Sequence, residues 1–549
     1  MLRTLMLLLA GLLSGAFLTL TLIRKPLTAA MVAQAEQIIG LEFTPAERDS
    51  MLPLLEQNRA AFDSLRKQSF PNSLLPALVF DPLPPGVSLP AGEDRFSPLP
   101  PPPAVLPADR EALAFYSVRQ LSELIRSRQI TSVELTRFFL DRIKRYDPVL
   151  HCAITLMEAP ALEQAARMDR ELQSGLYRGP LHGIPYGAKD LLFTRQAPTS
   201  FGAAPYRGQQ AEEDAAVIRK LDAAGAVLVA KLSLGELAMD DVWFGGRTRN
   251  PWNPETGSSG SSAGSASAVA AGLVPFAIGS ETWGSIVSPA TVCGVTGLRP
   301  SFGMVSRQGA MALSWSMDKL GPMARTAEDC AFVFEAIRGR DPHDPSTVQV
   351  PFRYHPAGLP RKLRIGYLRD DFGKTYRGKA QDEAALAQLR AMGHELVPVA
   401  FSEFPDISFL LMAEAAAAFD ELTRSNRDDL LAQQGRYNWP NFYRSARLIP
   451  AVEYIQANRH RSRLIAEAHR VLQTVDLIVA PSLEGNSLLL TNLTGHPSVT
   501  LPNGFDPKDR LPTSITFIGR LYEDGPLLAL AQQYQQATRF HLEHPVLPR

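Results

Sequence analysis

From Leu5 to Ile23 the chain runs 19 residues without a charge, bracketed by Arg3 and by Arg24-Lys25. A helix of that length spans about 30 Å, enough for a bilayer core. Residues 1–25 are therefore expected to be a signal peptide or a membrane anchor, with an exported or membrane-anchored protein as the consequence. The positive charges on both flanks leave orientation open, and the only small-residue "AQA" ends at Ala35, far on for a cleavage site. Next comes Thr44-Pro45-Ala46-Glu47, a capping box with proline at the first helical position. It predicts a helix within an N-terminal extension, 26–70. Residues 71–107 then hold 12 prolines in 37 positions. Proline removes a backbone donor and fixes φ, so this stretch reads as an extended linker, or as an arm strapped to a domain surface.

Periodic patterning resumes near Ala108 and predicts one large domain, 108–549. Thr131 and Glu134 form a second capping box, followed by Leu135, Phe138, Phe139, Ile143 and Tyr146 at helical spacing. "DAAVIRKLDAAGA" then "VLVAKL" reads as helix, glycine stop and short apolar strand. "KLRIGYL", a helix around Glu383 to Met392, and "HELVPVAF" repeat that pattern; "VDLIVAP", "HPSVTLP" and "TSITFIG" read as further strands. Strands alternating with helices predict an α/β fold with a mixed or parallel sheet covered by helices on both faces.

Bulk composition narrows the partners. The 549 residues carry 56 basic and 56 acidic side chains, a net charge of +0, so nothing favours nucleic acid. Cys152, Cys293 and Cys330 form no C-x-x-C pair, so neither a zinc site nor a disulfide framework is expected.

Two runs of small polar residues break the ordinary pattern: "SGSSAGSASAVAAG", 259–272, and "GSETWGSIVSPATVCG", 279–294. A flexible linker does not fit, because "ASAVAAG" and "LVPFAIG" between them read as an alanine-rich helix and a buried strand. A phosphate loop needs a lysine after its last glycine, which is missing. A nucleophile elbow centred on Ser262 matches Gly260-Ser261-Ser262-Ala263-Gly264, with His496, His541 or His544 as late histidines, but no apolar strand precedes it. A third piece, "GPLHGIPYGAKDLL", places Lys189 in a tight, low-charge segment. Burial there would lower the lysine pKa and leave a neutral amine able to act as a base.

Taken together, "GIPYGAKD", "SGSSAGS", "ETWGSIVSPA" and "CGVTGLRP", in that order, resemble the amidase signature serine hydrolases. The resemblance covers about four fifths of the chain, from Phe115 on, and is strongest from Gly183 to Pro300. It implies Ser285 as nucleophile, Ser261 (24 residues earlier, with a cis peptide bond) as the bridging serine and Lys189 as base. It implies an oxyanion hole from the backbone N–H groups of Thr282, Trp283, Gly284 and Ser285, and a reaction without metal or cofactor. The substrate would be a small-molecule amide, cleaved to the acid and ammonia or an amine through an acyl-enzyme.

This chain departs from the family pattern at several positions. Trp283 stands at a usual glycine and is either a substrate-pocket residue or packed beneath the loop. Val287 replaces an arginine, Glu281 an aspartate, and Ser259 and Ala263 glycines. Asp190, after the candidate base, is expected to order its loop, and Cys293 to lie in the core. An alternative within the resemblance is a protein like the A subunit of the glutamine-dependent aspartyl/glutamyl-tRNA amidotransferases, against which the apolar N-terminus argues. A retired hydrolase kept for binding is disfavoured because all three candidate catalytic residues are present. The sequence leaves the substrate and the oligomeric state open.

Overall fold

The computed structural model describes residues 26–67, 70–72, 74–101, 103–360 and 362–547. The apolar segment 5–23 lies outside the described residues. Among those described, no helix is long and apolar enough to cross a membrane.

Two compact units are distinguished. The smaller takes the chain up to Pro71, with Leu448–Pro450. Its helices are α1 (Ala29–Ile39) and α2 (Pro45–Leu65). Thr44 and Glu47 form the capping box at the start of α2, each satisfying the other's backbone N–H, with Pro45 at the first position. Buried Glu36 ties this unit together by accepting from Arg48 Nε and Nη2 at 3.0 and 2.7 Å.

The larger unit takes Asn72–Arg447 and Ala451–Arg549. The proline-rich stretch from Asn72 on belongs to it. Phe80 packs edge-on against Phe302, with ring centroids 4.9 Å apart, and Arg461 stacks over the same Phe80 ring. Arg95 and Phe96 pair in parallel with Arg353 and Tyr354. Proline cannot complete a sheet ladder, so this chain is held by side chains and one short pairing rather than by regular structure.

An eleven-stranded mixed sheet forms the centre of the larger unit. Its strands are β1 (Ala153–Leu156), β2 (Pro185–Lys189), β3 (Val227–Leu232), β4 (Phe276–Glu281), β5 (Thr296–Arg299), β6 (Lys319–Ala324), β7 (Arg364–Leu368), β8 (Glu395–Val399), β9 (Leu477–Pro481), β10 (Ser498–Phe505) and β11 (Pro512–Ile518). The spatial order is β8-β7-β9-β11-β10-β5-β6-β4-β2-β3-β1. Strands β2, β3 and β4 run parallel, β6 lies antiparallel to β4, and β7 is parallel to both β8 and β9. Every residue of β2 through β6 is buried, as strands covered on both faces must be.

Helix α3 (Ser132–Leu150) begins at the Thr131–Glu134 capping box and buries Leu135, Phe139, Ile143 and Tyr146. Helix α4 (Ala263–Ala270) is buried at every position, so the alanine-rich run between the two serine stretches is core helix. Helix α5 (Val287–Cys293) follows β4 after a four-residue turn and a cap at Ile286. Three further helices bear on the site: α6 (Phe409–Ala418), α7 (Ala451–Leu472) and α8 (Ser487–Thr494). The three cysteines are free and buried.

Candidate active site

Parallel strands β2 and β4 deliver their C-terminal ends side by side, and Lys189 is the last residue of β2. Its side chain is fully buried. The Nζ lies at hydrogen-bonding distance from Ser261 Oγ (2.8 Å), Ser280 Oγ (2.8 Å) and Ser262 Oγ (3.1 Å), and 3.5 Å from the Ser280 carbonyl. None of these acceptors is a carboxylate. Burial holds the amine well below the usual lysine range, with only partial opposition from Asp318 and Glu281. A buried ammonium without a counter-ion is costly, so the environment favours the neutral amine.

Ser261 sits before α4, and the Gly260–Ser261 peptide bond is cis. Ser262, next to it, is fully engaged: its hydroxyl donates to Ser280 O at 3.1 Å while accepting from Ser280 N–H and from Lys189. The Ser262 backbone N–H donates to Ser285 O at 3.0 Å. This last bond brings the two serine runs together.

Ser285 lies in the turn between β4 and α5 and is 9% exposed. Its hydroxyl has no hydrogen-bond partner among the described residues. Gly284 takes φ +88°, a left-handed conformation that glycine adopts without strain and that turns the chain sharply before Ser285. The backbone N–H groups of Thr282, Trp283, Gly284 and Ser285 find no acceptor among the described residues. Four consecutive free donors beside a free hydroxyl can receive a developing oxyanion.

The base of the turn is fixed by Glu281. Its Oε2 accepts the N–H groups of Ile286 and Val287 at 2.8 and 2.9 Å, and its Oε1 accepts from Arg299 Nη1 and Asn492 Nδ2, both at 2.8 Å. Burial pushes this carboxyl up, but Arg299 and the hydrogen bonds outweigh it and hold it at about 2. The cation partner of Glu281 is thus Arg299 on β5, and Val287 is simply buried. Thr282 is pinned by its side chain, whose hydroxyl donates to Asp318 at 2.5 Å.

Asp190 makes no hydrogen bond to Ser261, Ser262, Ser280 or Ser285. It pairs with Lys231 Nζ at 2.7 Å and accepts from Ser200 N–H and Oγ, which orders the loop after β2. Cys293 is buried in the core. Trp283 is 39% exposed, so it does not pack beneath the loop.

The elbow centred on Ser262 is not assembled. The strand ahead of it, Asn253–Gly257, pairs only with Arg249–Asn250 outside the main sheet. His496 Nδ1 faces Thr494, and His544 stacks on Phe115. Among the described residues, no group of three or more His, Cys, Asp or Glu side chains is placed to hold a metal ion. Ser280, Asp318 and Arg299 are not legible as site residues, since tertiary contacts rather than local pattern bring them to Lys189, Thr282 and Glu281.

The Amidase family model matches residues 134–490. The chain belongs to the amidase family. The A subunit of glutamyl-tRNA(Gln) amidotransferase from Methylococcus capsulatus is 33% identical over 479 residues, covering 78% of this chain and 98% of the relative. Its counterpart from a Marinomonas strain is 33% identical over 483 residues, covering 79% and 99%. Among solved structures, native peptide amidase from Stenotrophomonas maltophilia superposes with a TM-score of 0.69 at 33% identity, covering 79% of this chain and 98% of that one. A bacterial aryl acylamidase of the amidase signature family shares the fold, with a TM-score of 0.69 at 22% identity and coverage of 79% and 100%. As a member of this family, the protein is an enzyme that cleaves linear amide C–N bonds, built on the mixed α/β fold of the amidase signature enzymes.

Proposed function

We propose that Ser285 is the nucleophile, Lys189 the general base and Ser261 the proton relay between them in hydrolysis of a carboxamide. The observation that carries this reading is the buried Lys189 amine, bonded to Ser261 at 2.8 Å and to no carboxylate. Neutral Lys189 takes the proton of Ser261, which takes that of Ser285 as its oxygen attacks the amide carbon. The tetrahedral oxyanion is received by the N–H groups of 282–285, each such donor typically supplying about 3 kcal/mol. The relay then returns a proton to the leaving nitrogen, ammonia or an amine departs, and water cleaves the acyl-enzyme at Ser285. Ser285 and Ser261 share no hydrogen bond in this structure, and catalytic hydrogen bonds commonly tighten only in the substrate complex.

A second reading is favoured by the curated relatives, amidotransferase subunits matched over nearly their full length. On it, the same three residues release ammonia from glutamine for a partner's active site. These relatives support it more directly than they support the first reading, which draws on the peptide amidase likeness. A hydrolysis screen over peptide carboxamides, aryl and alkyl amides and glutamine, with Ser285→Ala as blank, decides. Turnover of peptide or alkyl amides by the chain alone supports the hydrolase; turnover confined to glutamine supports the transamidation role. We further propose that the apolar segment 5–23 directs export or membrane anchoring, which fractionation of cells expressing the full chain tests.

A further inference from the structure

The turn that carries the free N–H groups is tied to two distant helices by a continuous chain of hydrogen bonds. The Thr282 hydroxyl donates to Asp318 Oδ1. The other oxygen, Asp318 Oδ2, accepts the N–H groups of Leu313 and Ser314 at 2.8 and 3.0 Å. Ser314 Oγ then donates to Glu414 of α6 at 2.7 Å. Glu414 also accepts Ser316 N–H at 3.0 Å, Ser316 Oγ at 2.7 Å and Tyr454 OH of α7 at 3.0 Å. From α7, buried Arg461 donates to Ser316 Oγ and Ser316 O at 2.8 and 2.9 Å. The loop 313–318 is thus gripped from one side by Glu414 and Arg461, and through Asp318 it grips Thr282.

We infer that Asp318 and Glu414 are positioning residues that hold Thr282, and with it the first oxyanion donor, in the geometry the reaction requires. This rests on the assignment of Ser285 as nucleophile. The coupling is mechanical. Threonine is stiff at χ1, so fixing its Oγ1 fixes its backbone. Two residues on, Gly284 offers no such stiffness, and without the Asp318 bond the turn is free to reorganise around it. Preorganised donors help only when they already point at the oxyanion. Glu414 and Asp318 touch no reacting atom; apart from the charge Asp318 exerts on Lys189, they act through Thr282.

Thr282→Val keeps the backbone N–H and the side-chain shape but deletes the hydroxyl. It should lower kcat by about ten- to a hundredfold, the scale of a displacement near 1 Å, while KM stays within about threefold. Thr282→Ser, which keeps the hydroxyl but loses the β-branch, should recover most of kcat. Glu414→Gln should lower kcat alone but add nothing in the Thr282→Val background, because the two act through one path. Wild-type kcat in Thr282→Val, failure of serine to rescue, or full additivity with Glu414→Gln overturns the inference. Ser285→Ala run alongside separates the layers. Activity surviving in it overturns the nucleophile assignment; a dead Ser285→Ala beside a fully active Thr282→Val overturns the bracket alone.

Discussion

Two lysines end up fully buried on neighbouring parallel strands, Lys189 on β2 and Lys231 on β3. They differ in what surrounds the amine. Lys231 has a carboxylate, Asp190, at 2.7 Å and a threonine hydroxyl at 2.8 Å. Lys189 has three serine hydroxyls and a carbonyl. Burial lowers both pKa values, but at Lys231 the Asp190 charge and hydrogen bond pull back upward, whereas Lys189 is left well below the lysine range. One site stores a charge as half of an ion pair. The other is arranged so that the charge is shed. Burial beside a counter-ion keeps an ammonium; burial without one favours the neutral amine that a base requires.

The largest expected effects come from removing each amine in turn. Lys189→Ala should cost about 10²–10⁴ in kcat/KM, read by steady-state kinetics, while the protein stays folded. Lys231→Met should do the reverse in kind. It strands the Asp190 carboxylate in the interior and should cost about 3–5 kcal/mol of stability by denaturant unfolding. The double variant Lys231→Met, Asp190→Leu should recover much of that. Equal effects of the two lysine substitutions on stability would erase the distinction.

A finer test is pH. The rate should rise with pH as Lys189 becomes neutral, with a limb well below the ordinary lysine value of 10.5. Stability follows the same sign. The folded state releases the Lys189 proton at lower pH than the unfolded chain, so between the two values the unfolded state binds more protons and stability rises with pH. That rise, from the lowered folded value up to 10.5, should be smaller in Lys189→Met by the Lys189 contribution. Identical stability–pH curves for the two proteins would contradict a shifted Lys189.

The smallest expected effect concerns Trp283, exposed at the turn that carries the proposed oxyanion donors. Trp283→Gly should change KM for bulky amides by up to about tenfold, the scale of altered apolar contact, with kcat on a small amide nearly unchanged. A uniform loss of kcat across substrates would make Trp283 a support of the turn instead.

The same contrast explains what the sequence disclosed. Long apolar strands such as β3, β9, β10 and β11, and the capped helices α2 and α3, follow from local patterning. The serine runs and Lys189 stood out because their spacing is unusual. Strands β2 and β6 did not, since Pro185-Tyr-Gly-Ala-Lys and Lys-Leu-Gly-Pro-Met-Ala carry turn residues. Their reason is tertiary: at Gly321 an added Cβ would lie 2.0 Å from the Leu298 carbonyl of β5, so only glycine lets the backbones meet. Likewise Ser280 against Lys189, Arg299 against Glu281 and Asp318 against Thr282 are 91, 18 and 36 residues apart in sequence. No local pattern encodes such pairs; strand order in the sheet creates them.

Activation of Ser285 by the Lys189 environment, through Ser261, is tested most directly by covalent labelling with a fluorophosphonate, followed by peptide mass spectrometry. A single adduct is expected on the peptide carrying Ser285, absent from Ser285→Ala and formed far more slowly by Lys189→Ala. An adduct on Ser261 or Ser262, or unchanged labelling in Lys189→Ala, would contradict it.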